Sequence, residues 1–194
     1  MTAAALAALG LMLVAVAWTG SARASVRASA AAPTDPYLRR AIVNNLPGAV
    51  PPLDWRGWAV SPALRDGAER LAARVHRAGG RLFISPAPGA IGRQAGAATT
   101  QHNIDRWGEV RAVDLMVEGV KLADAVAMAR GLGLFTGIGA YPDWRPSPGL
   151  HVDVRADRVA TDPALWGAVN LGAGQTYTTL AAALDRAAVV EGVA

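Results

Sequence analysis

The chain is organised around two stretches of sequence, Thr99–Leu115 (TTQHNIDRWGEVRAVDL) and the shorter Gly149–Arg155 (GLHVDVR). Two of the three histidines of the chain, His102 and His151, lie in these stretches, and each has carboxylates nearby in the sequence. Histidines and carboxylates grouped in otherwise apolar or glycine-rich sequence are typical of a metal site. Whether this chain can bind a metal ion therefore depends on how the fold arranges these side chains.

The second stretch has the period-two pattern of a half-buried strand. Leu150, Val152 and Val154 are apolar, and the residues between them are polar. His151 and Asp153 therefore share one face of the predicted strand.

The first stretch leads into another predicted strand, Ala112–Val117. In it, Asp114 lies on the opposite face to its apolar neighbours along the chain. If the two strands are neighbours in one sheet, the side chains of Asp114 and His151 converge. His102, on a polar loop before the strand, would complete a group of three.

Two imidazoles and one carboxylate form a mixed nitrogen and oxygen ligand set that suits zinc. Three protein ligands leave a fourth position for water, and zinc lowers the pKa of that water from ~15.7 towards about 7. The implied chemistry is hydrolysis of an amide bond. A single histidine on a strand is more often a hydrogen-bonded structural residue, so spacing alone leaves that interpretation open.

These residues resemble the signatures of the zinc D-Ala-D-Ala carboxypeptidase and L,D-endopeptidase family of peptidoglycan hydrolases, which includes many phage endolysins. The first signature is Ser-x-His, then a glycine, then Ala-x-Asp, and Thr100–His102, Gly108 and Ala112–Asp114 follow in that order. The second is a late histidine after a Gly-x-Gly-x-Tyr-Pro type segment, matched by Gly137–Pro142 ahead of His151. The resemblance covers less than half of the chain.

The resemblance implies that His102, Asp114 and His151 bind Zn²⁺. It also implies that an arginine ahead of the first histidine binds a substrate carboxylate, and Arg93 is the only residue of the loop 86–100 that can match. A planar guanidinium group suits a carboxylate better than a lysine would. An exposed, solubilising side chain is an equally good interpretation of Arg93.

Two departures from the family pattern leave alternatives open. Eleven residues separate His102 from Asp114, where the family usually has about six, so Asp105 is a rival ligand. Asp114 is preferred because it lies in the Ala-x-Asp context on a predicted strand. Several relatives place a glutamate three residues before the late histidine, and this chain has Pro148 there.

The general base is therefore not assigned by the resemblance. Asp153 is the first candidate because it shares a strand face with His151, and it could equally be a partner that orients this ligand. Glu109 and Asp143 are further candidates.

Length and composition predict one domain. The chain has 194 residues, 52% hydrophobic and 18% charged, which suits a single core. The absence of cysteine excludes disulfides and thiolate metal ligands.

The net charge of +4 could suit nucleic acid, but the sequence has no run of basic residues and no basic recognition helix. We therefore expect no nucleic-acid partner, and an anionic cell envelope instead.

The N-terminal residues predict export. Thr2–Trp18 is almost entirely apolar, and Ala22–Ala24 offers an Ala-x-Ala cleavage pattern, so residues 1–24 are interpreted as a signal peptide. Because no basic segment precedes the apolar run, an uncleaved anchor in the inner membrane is the alternative. Either one predicts the periplasm or cell envelope as the location.

The remaining chain divides into two parts. Residues 25–36, rich in alanine, serine, threonine and proline, predict a flexible linker. Residues 37–194 are expected to form the catalytic domain.

The predicted fold is α+β, with a small, mainly antiparallel sheet flanked by helices and the zinc site on the sheet and an adjoining loop. The predicted strands are Arg81–Ser85, Ala112–Val117 and Leu150–Arg155, with Gly137–Pro142 against the same sheet. The predicted helices are Pro62–Ala78, Val120–Arg130, a short one at Asp162–Trp166, and Thr178–Val190.

The expected function is that of a zinc metallopeptidase, similar to D-Ala-D-Ala carboxypeptidases, with peptidoglycan stem peptides as its partners. It would cut a bond that involves a D-amino acid, with Arg93 on the substrate carboxylate and Asp153 as a candidate proton carrier. The alternative is a non-catalytic cell-wall-binding or virion structural module that keeps the peptidase fold. Pro148, in place of a glutamate, gives that alternative some weight.

Overall fold

A computed structural model describes residues 50–93, 100–170 and 174–192, which form one sheet with helices packed against it. In chain order the elements are α1 (Pro62–Arg77), β1 (Arg81–Ile84), α2 (Ile104–Trp107), β2 (Ala112–Glu118), α3 (Leu122–Leu132), β3 (Gly137–Tyr141), β4 (Gly149–Asp153), β5 (Ala164–Asn170), β6 (Gln175–Thr178) and α4 (Leu180–Val190). The six strands follow the order β1-β2-β4-β3-β5-β6, and their pairs are antiparallel except for β3 with β5. The predicted α+β fold with a mainly antiparallel sheet is confirmed.

The core lies between one face of the sheet and the helices α1, α3 and α4. Alternate residues of the central strands supply it from the sheet: Val113, Leu115, Val117, Ile138, Ala140, Leu150 and Val152. Because side chains alternate along a strand, the intervening residues point to the other face. That second face of β2, β4 and β3 carries the polar side chains of interest.

The register places the two strands that contain the candidate ligands side by side. β2 and β4 are antiparallel neighbours, and Asp114 lies directly opposite His151. On the other side of β4, Gly139 of β3 lies opposite His151, and Trp166 of β5 lies opposite Gly139. These four residues form one row across the sheet, which we call the central row.

The main helices lie within two residues of their predicted bounds. α1 has Pro62 at its first position, where a missing N–H costs no hydrogen bond. α3 ends at Gly133, whose φ of 62° is the left-handed conformation that often terminates helices. α4 follows Thr179, whose side chain accepts a hydrogen bond from the Ala182 N–H.

The predicted short helix Asp162–Trp166 is wrong. The chain there enters β5, which runs parallel to β3 and brings Trp166 onto the sheet. Gly167 lets α4 pack closely, since a Cβ at this position would lie 2.2 Å from the Cβ of Ala183. Long-range pairing thus overrides the local Asp-Pro signal for a helix start.

Several predictions about the N-terminal part fall outside the described residues. These are the signal peptide or anchor at residues 1–24, the linker at residues 25–36 and the start of the catalytic domain at residue 37. Within the three described ranges, no helix combines the length and the apolar character needed to cross a membrane.

The residue after α4 is tied to the start of α3. Glu191 Oε1 accepts a hydrogen bond from the Leu122 N–H at 2.9 Å, and Lys121, which precedes α3, supplies no side-chain cap. Glu191→Ala should therefore lower the free energy of unfolding by about 1 kcal/mol, the usual effect of losing such a cap. Urea unfolding followed by circular dichroism measures this difference.

The matched control is Asp66→Ala. This variant removes an exposed ion pair with Arg70, at 2.9 Å on the surface of α1, and should cost less than about 0.5 kcal/mol. Equal losses in the two variants would show that Glu191 contributes no more than an ordinary surface charge.

Candidate metal centre

Three buried side chains, those of His102, Asp114 and His151, converge on the second face of the sheet. His102 Nε2 lies 3.3 Å from His151 Nδ1 and 3.4 Å from Asp114 Oδ1, and His151 Nδ1 lies 2.8 Å from Asp114 Oδ1. Ligand atoms bound at ~2.0–2.1 Å to one tetrahedral ion lie about 3.3 Å apart. The group therefore lies close enough to bind a metal ion.

The sheet fixes two of these side chains, and a loop that is hydrogen bonded to its surroundings fixes the third. Asp114 and His151 belong to the central row, so the pairing of β2 with β4 sets their separation. His102 lies just before α2, where its carbonyl oxygen accepts a hydrogen bond from the Arg93 N–H at 2.9 Å. Backbone contacts thus hold Arg93 beside the group.

Each histidine has its other ring nitrogen hydrogen bonded. His102 Nδ1 lies 2.9 Å from the carbonyl oxygen of Ile91, so it donates and leaves the lone pair on Nε2. His151 Nε2 lies 3.2 Å from Asp153 Oδ2 and donates to it, which leaves Nδ1 facing the group. Metal-ligating histidines almost always hold the distal N–H in this way.

Asp153 is fully buried and engaged on both oxygens. Arg155 Nε lies 3.0 Å from its Oδ1, and Arg155 Nη2 also contacts Oδ2, which accepts from His151 as well. Burial would raise the pKa of Asp153, but the hydrogen bonds from His151 and Arg155 outweigh it and lower the pKa to about 2. Of the two roles left open by the sequence, the geometry suits the partner that orients His151.

Charge and burial also shape the ligand group itself. Burial would raise the pKa of Asp114, but the adjacent imidazoles of His102 and His151 hold it well below its usual range. Burial would lower the pKa of His151, but Asp114 and Asp153 outweigh that effect and raise it to about 9. Asp114 is therefore an anion at neutral pH, the form that binds a cation.

Two glycines of β3 make room above the sheet. A Cβ at Gly137 would lie 2.3 Å from Asp153 Oδ1, and a Cβ at Gly139 would lie 2.5 Å from Trp166 Cε2. Both separations are shorter than any that real Cβ atoms adopt. The alternating glycines of the segment Gly137–Pro142 thus have a physical reason, since any side chain there would displace Asp153 or Trp166.

The ligand group opens into a cleft of about 550 Å³. Its lining includes the polar residues Arg93, Thr100 and Gln101 and the aromatic residues Tyr141, Trp144, Trp166 and Tyr177. The ring of Tyr141 stacks on that of Trp144, with centroids 4.0 Å apart and an interplanar angle of 16°. The cleft thus combines charged groups with flat aromatic rings.

Arg93 lies beside the ligand group. Its Nη2 is 3.9 Å from Asp114 Oδ2, and its Nε donates to the carbonyl oxygen of Gly89 at 3.0 Å. The side chain is 46% exposed and lines the cleft, so part of its guanidinium group can contact a ligand.

The other candidate carboxylates lie away from the cleft. Asp105 is exposed in α2, Glu109 pairs with Arg111 at 3.4 Å, and Asp143 pairs with Arg186 at 3.1 Å. None of the three lines the cleft or belongs to the ligand group. Of the described residues that line the cleft, the carboxylates are Asp114 and Asp153 alone.

Sequence reasoning missed two partners of the ligand group. The ring centroid of Trp166 lies 5.1 Å from that of His151. This contact was not predicted, because the sequence pattern favoured a helix at Asp162–Trp166 where the chain forms β5. Arg155 was not recognised as the counter-ion of Asp153, although the period-two pattern already put both on one strand face.

No protein-family model, curated protein or solved structure matches the chain. The class of site therefore follows from its own geometry. Two imidazole nitrogens and one carboxylate oxygen lie close enough to bind a metal ion and face an open cleft.

Removal of the sheet carboxylate should abolish metal binding. Asp114→Ala deletes the oxygen that lies 2.8 Å from His151 Nδ1, so stoichiometric zinc should be lost from the purified protein. Asp105→Ala, in exposed α2, should leave the zinc content nearly intact. Elemental analysis after zinc loading measures both, and reversed losses would show that Asp105 is the ligand.

A single methyl group on β3 should also weaken metal binding. Gly137→Ala pushes the added Cβ against Asp153, which then releases the His151 N–H, and loss of such a partner typically lowers metal affinity about 10- to 100-fold. Gly174→Ala is the matched control, because a Cβ there meets nothing within 4 Å. Competition against a chromophoric chelator measures both affinities, and equal affinities would contradict the role given to Asp153.

Proposed function

We propose that this protein is a zinc metallopeptidase that hydrolyses a stem-peptide bond of peptidoglycan involving a D-amino acid. The observation that carries the proposal is the convergence of His102, Asp114 and His151 on an open cleft, with Arg93 beside them.

The donor set favours zinc over the other common ions. Magnesium and calcium prefer ligands that are all oxygen, whereas two imidazoles with one carboxylate suit zinc. The separations of 2.8–3.4 Å among the donor atoms fit a tetrahedral ion with one position left for water or substrate. An open position is the feature that separates catalytic zinc sites from structural ones.

The residues around the ligands have separable roles in this proposal. When bound, zinc supplies an acidified water and polarises a carbonyl group. Asp153, held by Arg155, keeps the distal N–H of His151 in place and so fixes the direction of Nδ1. Arg93 offers a planar fork of donors to a carboxylate, which orients the substrate beside the metal.

The substrate class rests on the resemblance to peptidoglycan peptidases and on charge. An arginine close to the metal suits a peptide whose carboxylate lies near the scissile bond, as in a carboxypeptidase or a short-stem endopeptidase. The chain carries a net charge of +4, which favours an anionic cell wall as partner. We expect no nucleic-acid partner.

We also propose an exported protein that works in the periplasm or cell envelope. Residues 1–24 support this through their apolar run and their Ala-x-Ala pattern, as a signal peptide or as an inner-membrane anchor. Use by a phage as an endolysin fits the same features.

A specific observation supports a second candidate function. Both carboxylates of the described cleft are engaged, Asp114 in the ligand group and Asp153 with Arg155. Pro148 occupies the position where relatives place a glutamate. A site without a free acid fits a non-catalytic cell-wall-binding or virion structural module that keeps the peptidase fold.

Digestion of purified stem peptides separates the two candidates. The full chain, loaded with zinc, should release fragments that mass spectrometry assigns to one bond next to a D-amino acid. A chelator should abolish the release, zinc should restore it, and Asp114→Ala should lack it because the metal is no longer held. Sedimentation of the protein with intact walls, without any released fragment, would support the binding module and contradict the peptidase.

A further inference from the structure

The cleft has a donor that the proposed mechanism has not used. Attack on a peptide carbonyl places negative charge on its oxygen, and a hydrogen-bond donor aimed at that oxygen is often the largest single contribution to the rate. The carboxylates of the described cleft are already committed, Asp114 to the ligand group and Asp153 to His151 and Arg155. Tyr141 is a neutral donor on the same face of the sheet.

Tyr141 is held rigidly at the end of β3. It is 5% exposed, and its ring stacks on Trp144. Its hydroxyl oxygen accepts a hydrogen bond from Trp166 Nε1 at 2.8 Å. That contact leaves the hydroxyl proton available to an acceptor in the cleft.

Trp166 links this hydroxyl to the ligand group. Its indole ring lies in the space above Gly139, packs at 5.1 Å from the His151 ring, and has the Arg155 guanidinium at 5.1 Å from its centroid. The position of the Tyr141 hydroxyl is thus set relative to His151 by packed rings. A donor that needs no reorganisation during the reaction is the kind that lowers a barrier most.

The hydroxyl also keeps its proton. Burial raises the pKa of Tyr141 far above its usual value, and this effect outweighs the lowering by Trp166. Tyr177 is the one hydrogen-bonding neighbour that raises the pKa further, and its side chain is 70% exposed at the rim of the cleft. A substrate oxygen can take the place of such an exposed partner.

We infer that Tyr141 donates a hydrogen bond to the substrate oxygen on which negative charge develops, with Trp166 holding the hydroxyl in place. The inference rests on the proposed peptidase function and adds to it a catalytic residue on β3. No bond is made or broken at Tyr141, so its part is electrostatic stabilisation and not proton transfer.

Tyr141→Phe tests the inference because it keeps the stacked ring and removes only the hydroxyl. We expect kcat to fall about 100- to 1,000-fold, the usual effect of losing one such donor, with KM and zinc content changed little. Thr176→Val is the matched control, since it removes an exposed hydroxyl from a residue of β6 that does not line the cleft, and its kcat should stay within about threefold of wild type. A kcat of Tyr141→Phe equal to that of wild type, or an equal fall in Thr176→Val, would overturn the inference.

A second measurement does not need turnover. A phosphinate analogue of D-alanyl-D-alanine carries two oxygens that imitate the attacked carbonyl, and calorimetry gives its Kd for the zinc-loaded full chain. Tyr141→Phe should raise that Kd at least about tenfold, and Thr176→Val should leave it unchanged. Equal Kd values for wild type and Tyr141→Phe, or no binding by wild type, would overturn the inference.

The two proposals fail in different ways. Stem-peptide hydrolysis by wild type that Tyr141→Phe performs equally well refutes the role of Tyr141 and leaves the peptidase standing. Absence of hydrolysis by wild type refutes the peptidase, and the phosphinate titration then decides the role of Tyr141 by itself.

Discussion

The antiparallel register between β2 and β4 is the constraint on which the rest of the site depends. It places Asp114 directly opposite His151 on one face while Val113 and Val152 pair on the other, inside the core. A slip of one residue would turn the carboxylate into that core, where an unpaired charge costs several kcal/mol. The hydrophobic effect that buries the valines therefore also fixes the direction of the ligands.

A line of alternating charges crosses the second face of the sheet. Arg155 binds Asp153, Asp153 accepts from His151, and His151 contacts Asp114. Burial of any one of these groups alone would be costly, and each is stabilised because its neighbour has the opposite charge or the matching hydrogen-bonding role. This line of charges requires glycine at position 137, because any side chain there would occupy the space that the Asp153 carboxylate fills.

Sequence patterns predicted the strands and helices whose boundaries depend on neighbouring residues along the chain. Period-two alternation predicted the bounds of β2 and β4 to within two residues, and Ser61-Pro62 predicted the start of α1. These predictions succeed because each segment buries one face, which its own sequence pattern shows. β5 was misread because its partner, β3, lies more than twenty residues earlier and the pairing is parallel, which no neighbouring residue reveals. The group of His102, Asp114 and His151 was predictable, whereas Trp166 depended on β5 and was not.

The chain at Pro148 and Gly149 leaves room for the stacked rings of Tyr141 and Trp144 on the second face of the sheet. The carbonyl oxygen of Pro148 accepts the Val117 N–H at 2.9 Å, so position 148 is tied to β2, and proline places no acid there. The next residue, Gly149, lies opposite Tyr141 and has no Cβ, and this leaves the space in which Trp144 packs. The aromatic pair of Tyr141 and Trp144 thus occupies this part of the sheet face. A phenol is neutral at physiological pH, so this region can donate a hydrogen bond to an anionic oxygen, which an ionised glutamate cannot do. In the proposed peptidase, catalysis would therefore depend more on stabilisation of the attacked carbonyl than on a carboxylate base.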